Sequence, residues 1–220
     1  MPRKSLLARI TAAILMVAAL SFAVTACGSD DSSSSSDSPP EPVAQIDPVT
    51  GVSTQVTLDA GFVEALTTLK VTPAPVGKAT ISKAGVADFP ITGGNVTYYD
   101  PASDYRPFVQ GILMHDGSGL SLTAGKTKVE LTDFVIDPGT STLTGTVSVN
   151  GKEAATDALL FNLDGSTLKP LISNSDGSAT LEGTTVKLSD DAAALLNDTF
   201  GIKDLKGGLV IGISAITVKG

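Results

Sequence analysis

The chain has no tryptophan, one cysteine and one histidine among 220 residues. One cysteine excludes an internal disulfide, a zinc ribbon and CxxC redox chemistry. One histidine excludes HExxH and multi-histidine metal sites. Aromatic residues are only 5% and charged residues 17%, the latter below the usual quarter. The formal charge of −8 excludes a general nucleic-acid binder, because phosphate contacts need clustered Lys and Arg. What is plentiful is Gly (22), Pro (12), Ser, Thr and aliphatic residues, a mix that suits strands and turns better than long helices. No motif asks for a cofactor.

The N-terminus reads as an address. Arg3, Lys4 and Arg9 form a basic stretch, and Ile10 to Val24 is apolar but short for a membrane span and interrupted by Thr11 and Ser21. It ends in Val24-Thr25-Ala26-Cys27, which resembles a bacterial lipobox. The resemblance implies cleavage before Cys27, a diacylglyceryl group on its thiol and anchoring to the membrane through that lipid. Two acyl chains anchor stably where one is marginal. Gly28 to Pro42 follows, a Ser/Asp/Pro run without an apolar residue, which makes a solvated spacer. The signal, the cysteine and this run together resemble actinobacterial-type lipoproteins. Residues 1–26 are thus expected to be a signal peptide, 27–42 a lipidated cysteine and tether, and 43–220 a single β-rich domain on the outer face of the cytoplasmic membrane. Loss of Arg3, Lys4 and Arg9 leaves 12 basic against 23 acidic residues, a formal −11. Such a surface is repelled by anionic lipid, so the lipid and not the protein would hold the membrane.

The body reads as short strands separated by turn signals. Strands are predicted at 54–58, 78–82, 86–91, 95–99, 107–114, 119–124, 127–136, 141–149, 158–163, 179–188 and 208–218. Turns are predicted at Gly93-Gly94, Asp116-Gly117, Asp137-Pro138-Gly139, Asn150-Gly151, Asp164-Gly165 and Asp176-Gly177. This spacing predicts a mainly β, antiparallel sandwich or barrel-like domain. Between Lys128 and Ile136 the apolar phase slips at Asp133, which predicts a bulge or a strand buried on both faces. Two short helices are expected. Asp59 would cap one, with Phe62, Ala65, Leu66 and Leu69 on one face; Ser189 would cap the other, with Ala192, Ala193, Leu196 and Phe200 inward. The segments 54–82 and 184–218 also read as copies of a strand–helix–strand unit, Val56-Thr57-Leu58-Asp59 matching Val186-Lys187-Leu188-Ser189.

Several motifs fail on inspection. Gly119 to Thr127 has five residues between its glycines where a phosphate-binding loop has four, and strand residues fill it. Asn174-Ser175-Asp176-Gly177 and Asn162-Leu163-Asp164-Gly165 lack the first Asp and the closing Glu of a calcium loop. His115-Asp116 has no nucleophile elbow to serve. A non-catalytic role is therefore expected, with a carboxylate-dependent hydrolase as an alternative.

The most suggestive stretch holds all three tyrosines, Tyr98, Tyr99 and Tyr105, with Arg106, Phe108 and then His115. It reads either as an ordinary hairpin or as a binding rim, since Tyr, Arg and His favour recognition surfaces. Within it, Phe108-Val109-Gln110-Gly111-Ile112-Leu113-Met114-His115-Asp116-Gly117, continued to Ile136, resembles HtaA-type haem-uptake domains of actinobacteria. Those domains carry a Gly-His-x-Gly segment at a strand end and use Tyr and His at the haem. The resemblance implies a haem role for His115 alone. Met114 stands where the family has Gly, and the family's opening Trp-containing segment with its Tyr has no counterpart. The expected function is thus a lipid-anchored binding or envelope-structural protein. The alternative is one that takes haem or a small hydrophobic ligand with Tyr98, Tyr99, Tyr105, Arg106 and His115.

The address is directly testable. Mass spectrometry of protein extracted from native membranes is expected to find Cys27 N-terminal and carrying a diacylglyceryl thioether. An unmodified Cys27 there would refute the anchor.

Overall fold

In the computed structural model the described residues are 39–220. The signal segment, Cys27 and most of the tether lie outside them. Thirteen strands form from β1 (Ala44–Ile46), β2 (Gly51–Leu58), β3 (Thr72–Gly77), β4 (Thr80–Ile81), β5 (Val86–Pro90), β6 (Gly93–Tyr98), β7 (Val109–Ala124), β8 (Thr127–Asp137), β9 (Thr142–Val149), β10 (Lys152–Asp164), β11 (Ile172–Ser173), β12 (Ala179–Leu188) and β13 (Val210–Lys219). All of the pairings are antiparallel and join one sheet, in the order β1-β6-β7-β8-β9-β10-β12-β13-β2-β5-β4. The expected mainly β fold with two short helices is therefore what forms: strand makes up 55% of the described residues, and the sheet curls into a half-barrel.

Both predicted helix caps are in place. Asp59 Oδ1 accepts from the Gly61 and Phe62 amides ahead of α1 (Ala60–Thr68). Ser189 Oγ accepts from the Ala192 amide ahead of α2 (Asp190–Phe200) and donates to the Leu159 carbonyl. Phe62 and Leu66 of α1, and Ala192, Ala193 and Leu196 of α2, join the core. Here α1 packs on β13 and β3, and α2 on β10 and β8. The two segments read as copies place β2 and β12 on either side of β13, each leading into a helix. Their third parts sit differently, since Val76–Ile81 spans β3 and β4 whereas Ile211–Ile216 lies within β13.

The phase slip at Asp133 is a bulge. Val129 and Leu131 point inward before it, and Phe134 and Ile136 after it, all at most 4% exposed. The pairing of β8 with β9 shifts between Thr132 and Val135, and Asp133 has φ 54°. The neighbouring strand makes the same change. Leu113 and His115 face inward, as do Leu120 and Leu122, so parity must switch between them. It switches through Asp116, Gly117 and Ser118, which lie opposite Asp133 alone. Gly117 takes φ 71° there, and its amide donates to Asp133 Oδ1 at 2.8 Å.

This corrects two expectations. Asp116-Gly117 is not a hairpin turn, and 107–114 and 119–124 are one 16-residue strand, because the extra residues restore the inward phase without reversing the chain. Gly93-Gly94 also lies within β6, paired to Met114 and Leu113. Three strands escaped the sequence reading. Of these, β1 and β11 are two or three residues long, and β3 carries Pro73 and Pro75. Proline is tolerated in β3 because that strand pairs only with β7, on one side.

Ser189 joins helix, strand and cap in one side chain that is 1% exposed. Ser189→Ala is expected to lower unfolding free energy by about 2 kcal/mol, at the upper end for a cap, and the more exposed Asp59→Ala by about 1 kcal/mol. Urea denaturation measures both; equal losses would contradict the extra tie to β10.

Candidate functional site

The inside of the curl is unevenly filled. One end is packed. Phe134 meets Phe89 and Phe161 edge-on at ring-centroid distances of 5.3 and 6.4 Å. Gly145 sits against this cluster, where an added Cβ would lie 3.0 Å from Leu160 and 3.1 Å from Phe134. Only a void of about 50 Å³ remains. Toward the other end lies a cavity of about 570 Å³. Strands from β1 round to β2 contribute to its wall, and neither helix does. The reason is visible in the residue sizes. Inward positions at the packed end carry Phe and Leu, whereas Thr54, Ala179, Thr184 and Ser214 face the cavity. Short side chains there leave the interior of the curl unfilled.

His115 stands at the boundary between the two ends. It is 1% exposed. Nδ1 lies 3.1 Å from the Phe134 carbonyl and Nε2 lies 2.9 Å from Thr54 Oγ1. A carbonyl only accepts, so Nδ1 donates, and Nε2 accepts from the Thr54 hydroxyl. Burial pushes the His115 pKa below its usual 6.5, against the opposing pull of the Phe134 carbonyl and Asp116. Thr54 in turn lines both the small void and the large cavity.

The five candidates, Tyr98, Tyr99, Tyr105, Arg106 and His115, therefore divide. Tyr98 lines the cavity, its ring edge-on to Phe108 at 6.0 Å. Arg106 lies at the mouth with its guanidinium 5.5 Å from the centre of the Phe108 ring. Its Nη1 donates to the Ser103 and Tyr105 carbonyls at 2.6 and 2.8 Å, and its Nη2 to Pro101 at 3.1 Å. Tyr99 and Tyr105 pair with each other at 4.6 Å and do not line the cavity. Burial, with the Tyr105 phenol beside it, pushes the Tyr99 pKa up from 10.0. His115 departs most from expectation: it is not on a rim with the tyrosines, because both ring nitrogens are engaged in the interior. Cys27 lies outside the described residues.

The sequence reading missed most of the cavity wall. Leu168, Leu181 and Ile216 are far apart in the chain and look like any inward strand residue. The available signal was the run of small inward residues at 54, 179, 184 and 214. The carboxylate-based alternative finds no Asp or Glu among the residues lining the cavity. Among the described residues there is also no group of three or more His, Cys, Asp or Glu able to hold a metal.

No protein-family model matches the chain, and no curated protein matches it. A solved structure similar in fold is the C-terminal domain of HtaA from Corynebacterium glutamicum. The TM-score is 0.50 at 14% identity, and the match covers 78% of this chain and 97% of that one. The likeness is one of fold.

His115 makes stability depend on pH in a defined window. Its folded pKa lies below the unfolded 6.5, so the unfolded chain binds more protons between the two values. Stability is full above about 6.5 and declines as pH falls toward the folded value. Asp164, depressed mainly by Lys187, acts only in the acid range below 3.8. Thermal melts of the mature chain carrying Cys27→Ser are expected to lose stability from pH 7.5 to 5.5, by at most about 1.4 kcal/mol, since only one pH unit of that range lies below the unfolded value. This is the chain's only histidine, so its imidazole NMR signal should not titrate near 6.5. An ordinary titration at that pH would overturn the assignment.

Proposed function

We propose that this chain is a lipid-anchored, extracytoplasmic binding protein that takes a small apolar ligand into the cavity of its half-barrel. One observation carries the reading: an apolar space of about 570 Å³ inside a curled sheet whose other end is tightly packed. Sites for small molecules are concave, mostly apolar and of about 300–1,000 Å³. The wall fits binding better than catalysis. It holds no Asp, Glu, Lys, His or Cys, and Thr54, a wall hydroxyl with a base beside it, faces a His115 whose Nδ1 is held by the Phe134 carbonyl and not by a carboxylate. Anchoring through Cys27 is supported by the lipobox and by the polar run that follows it.

Haem is a second reading, favoured by the position of Tyr98, the one phenol on the cavity wall. A tyrosinate is a competent haem ligand. His115 would not ligate the iron in this reading, because its ring nitrogens hold the Phe134 carbonyl and Thr54.

Ala179 projects into the cavity from β12, so Ala179→Phe should fill it. The mature chain carrying Cys27→Ser is expected to bind the neutral fluorophore N-phenyl-1-naphthylamine, and Ala179→Phe to weaken that binding at least about tenfold without lowering the melting temperature. Unchanged binding in Ala179→Phe would move the site elsewhere. In a parallel titration with haemin, a Soret shift abolished by Tyr98→Phe would select haem, and no shift would remove it.

A further inference from the structure

Among the residues that line the cavity, Arg106 alone carries a charge. We infer that the ligand is a single-chain carboxylate amphiphile, with its hydrocarbon chain in the cavity and its carboxylate on the Arg106 guanidinium. The inference rests on the apolar-ligand reading and specifies its ligand class.

The guanidinium is fixed before any ligand arrives. Carbonyls of Pro101, Ser103 and Tyr105 take three of its donors, and the Phe108 ring lies against it. A guanidinium has five N–H donors, so two remain, one on Nε and one on Nη2. The planar head matches a carboxylate, and holding it in place beforehand removes the ordering loss on binding. Among the described residues its charge is not neutralised by an acid. The ion pairs join Lys128 to Glu130, Lys169 to Glu182 and Lys187 to Asp164. None of these pairs includes Arg106.

Position and chemistry agree. Arg106 is exposed, so a carboxylate there keeps part of its hydration and avoids burial as a bare ion. Phe108 and Tyr98 lead inward from it, and the wall beyond is aliphatic with a few hydroxyls. An ammonium head would meet the guanidinium repulsively, and a chain without a head would leave its two spare donors unused. Among the residues that line the cavity, Arg106 is the one group able to pair with an anionic head.

Matched chains separate head from tail. In the mature chain carrying Cys27→Ser, decanoate and decanol are titrated against bound N-phenyl-1-naphthylamine at a pH where the acid is ionised. Decanoate is expected to displace the probe at about tenfold lower concentration than decanol. Arg106→Gln should bring the ratio near one, and Arg106→Lys, which keeps the charge without the fork, should retain part of it. Using the ratio guards against a general loosening of the 100–108 loop in the variants. Equal displacement by acid and alcohol in the parent protein would overturn the carboxylate head while leaving the apolar cavity standing. A preference that survives Arg106→Gln would overturn the role of Arg106. No uptake of the probe at all would overturn both the inference and the reading beneath it.

Discussion

A buried imidazole is tolerated only when its nitrogens are satisfied, and His115 meets that condition by joining strands far apart in the sheet. Five strands lie between β7, which carries His115, and β2, which carries Thr54. Their side chains can meet only if the sheet curls back on itself. The hydrogen bond between them is therefore a closure of the half-barrel as well as a local contact. The same ring holds the Phe134 carbonyl on β8, beside the bulge at which β7 and β8 both change phase. Bulge, curl and buried histidine are one arrangement: the parity switch keeps His115, Leu120, Phe134 and Leu131 all inward.

That arrangement divides the interior. Beyond His115 the phenylalanines at 89, 134 and 161 fill the space, and the helices supply Phe62, Leu66 and Leu196 to the same core. On the near side short residues at 54, 179, 184 and 214 interrupt an aliphatic wall, and the loops at 100–108 and 163–171 contribute to an open cavity. A protein needing only stability would fill that space, since unfilled apolar volume is destabilising. A packed end that holds the fold beside a hollow end that does not is the division of labour expected of a binding module.

Much of this was legible in the sequence because it is local. Asp59 and Ser189 announce their helices by capping chemistry, and the ends of β12 coincide with the predicted 179–188. The slip at Asp133 is written in the order of Leu131, Asp133 and Phe134. What failed is non-local or locally ambiguous. Asp116-Gly117 has the composition of a turn, and only its pairing partner on β8 makes it a bulge. The prolines of β3 argue against a strand unless its one-sided pairing is known. His115 next to three tyrosines looks like part of a rim, yet alternation on β7 turns it inward to Thr54, 61 residues away in the chain. The cavity was not legible at all, because its wall is assembled by the curl from residues as distant as Ala44 and Val218.

The central claim is that the interior has a closed, rigid end and a hollow, ligand-accepting end, with His115 between them. Methyl NMR of the mature chain carrying Cys27→Ser, titrated with decanoate, tests it most directly. The account predicts saturable shifts at Leu113, Leu143, Leu181 and Val218, which line the cavity, and none at Val129, Val147 and Leu160, which are at most 1% exposed at the packed end. Shifts spread over both ends, or confined to residues on the outer surface, would contradict it.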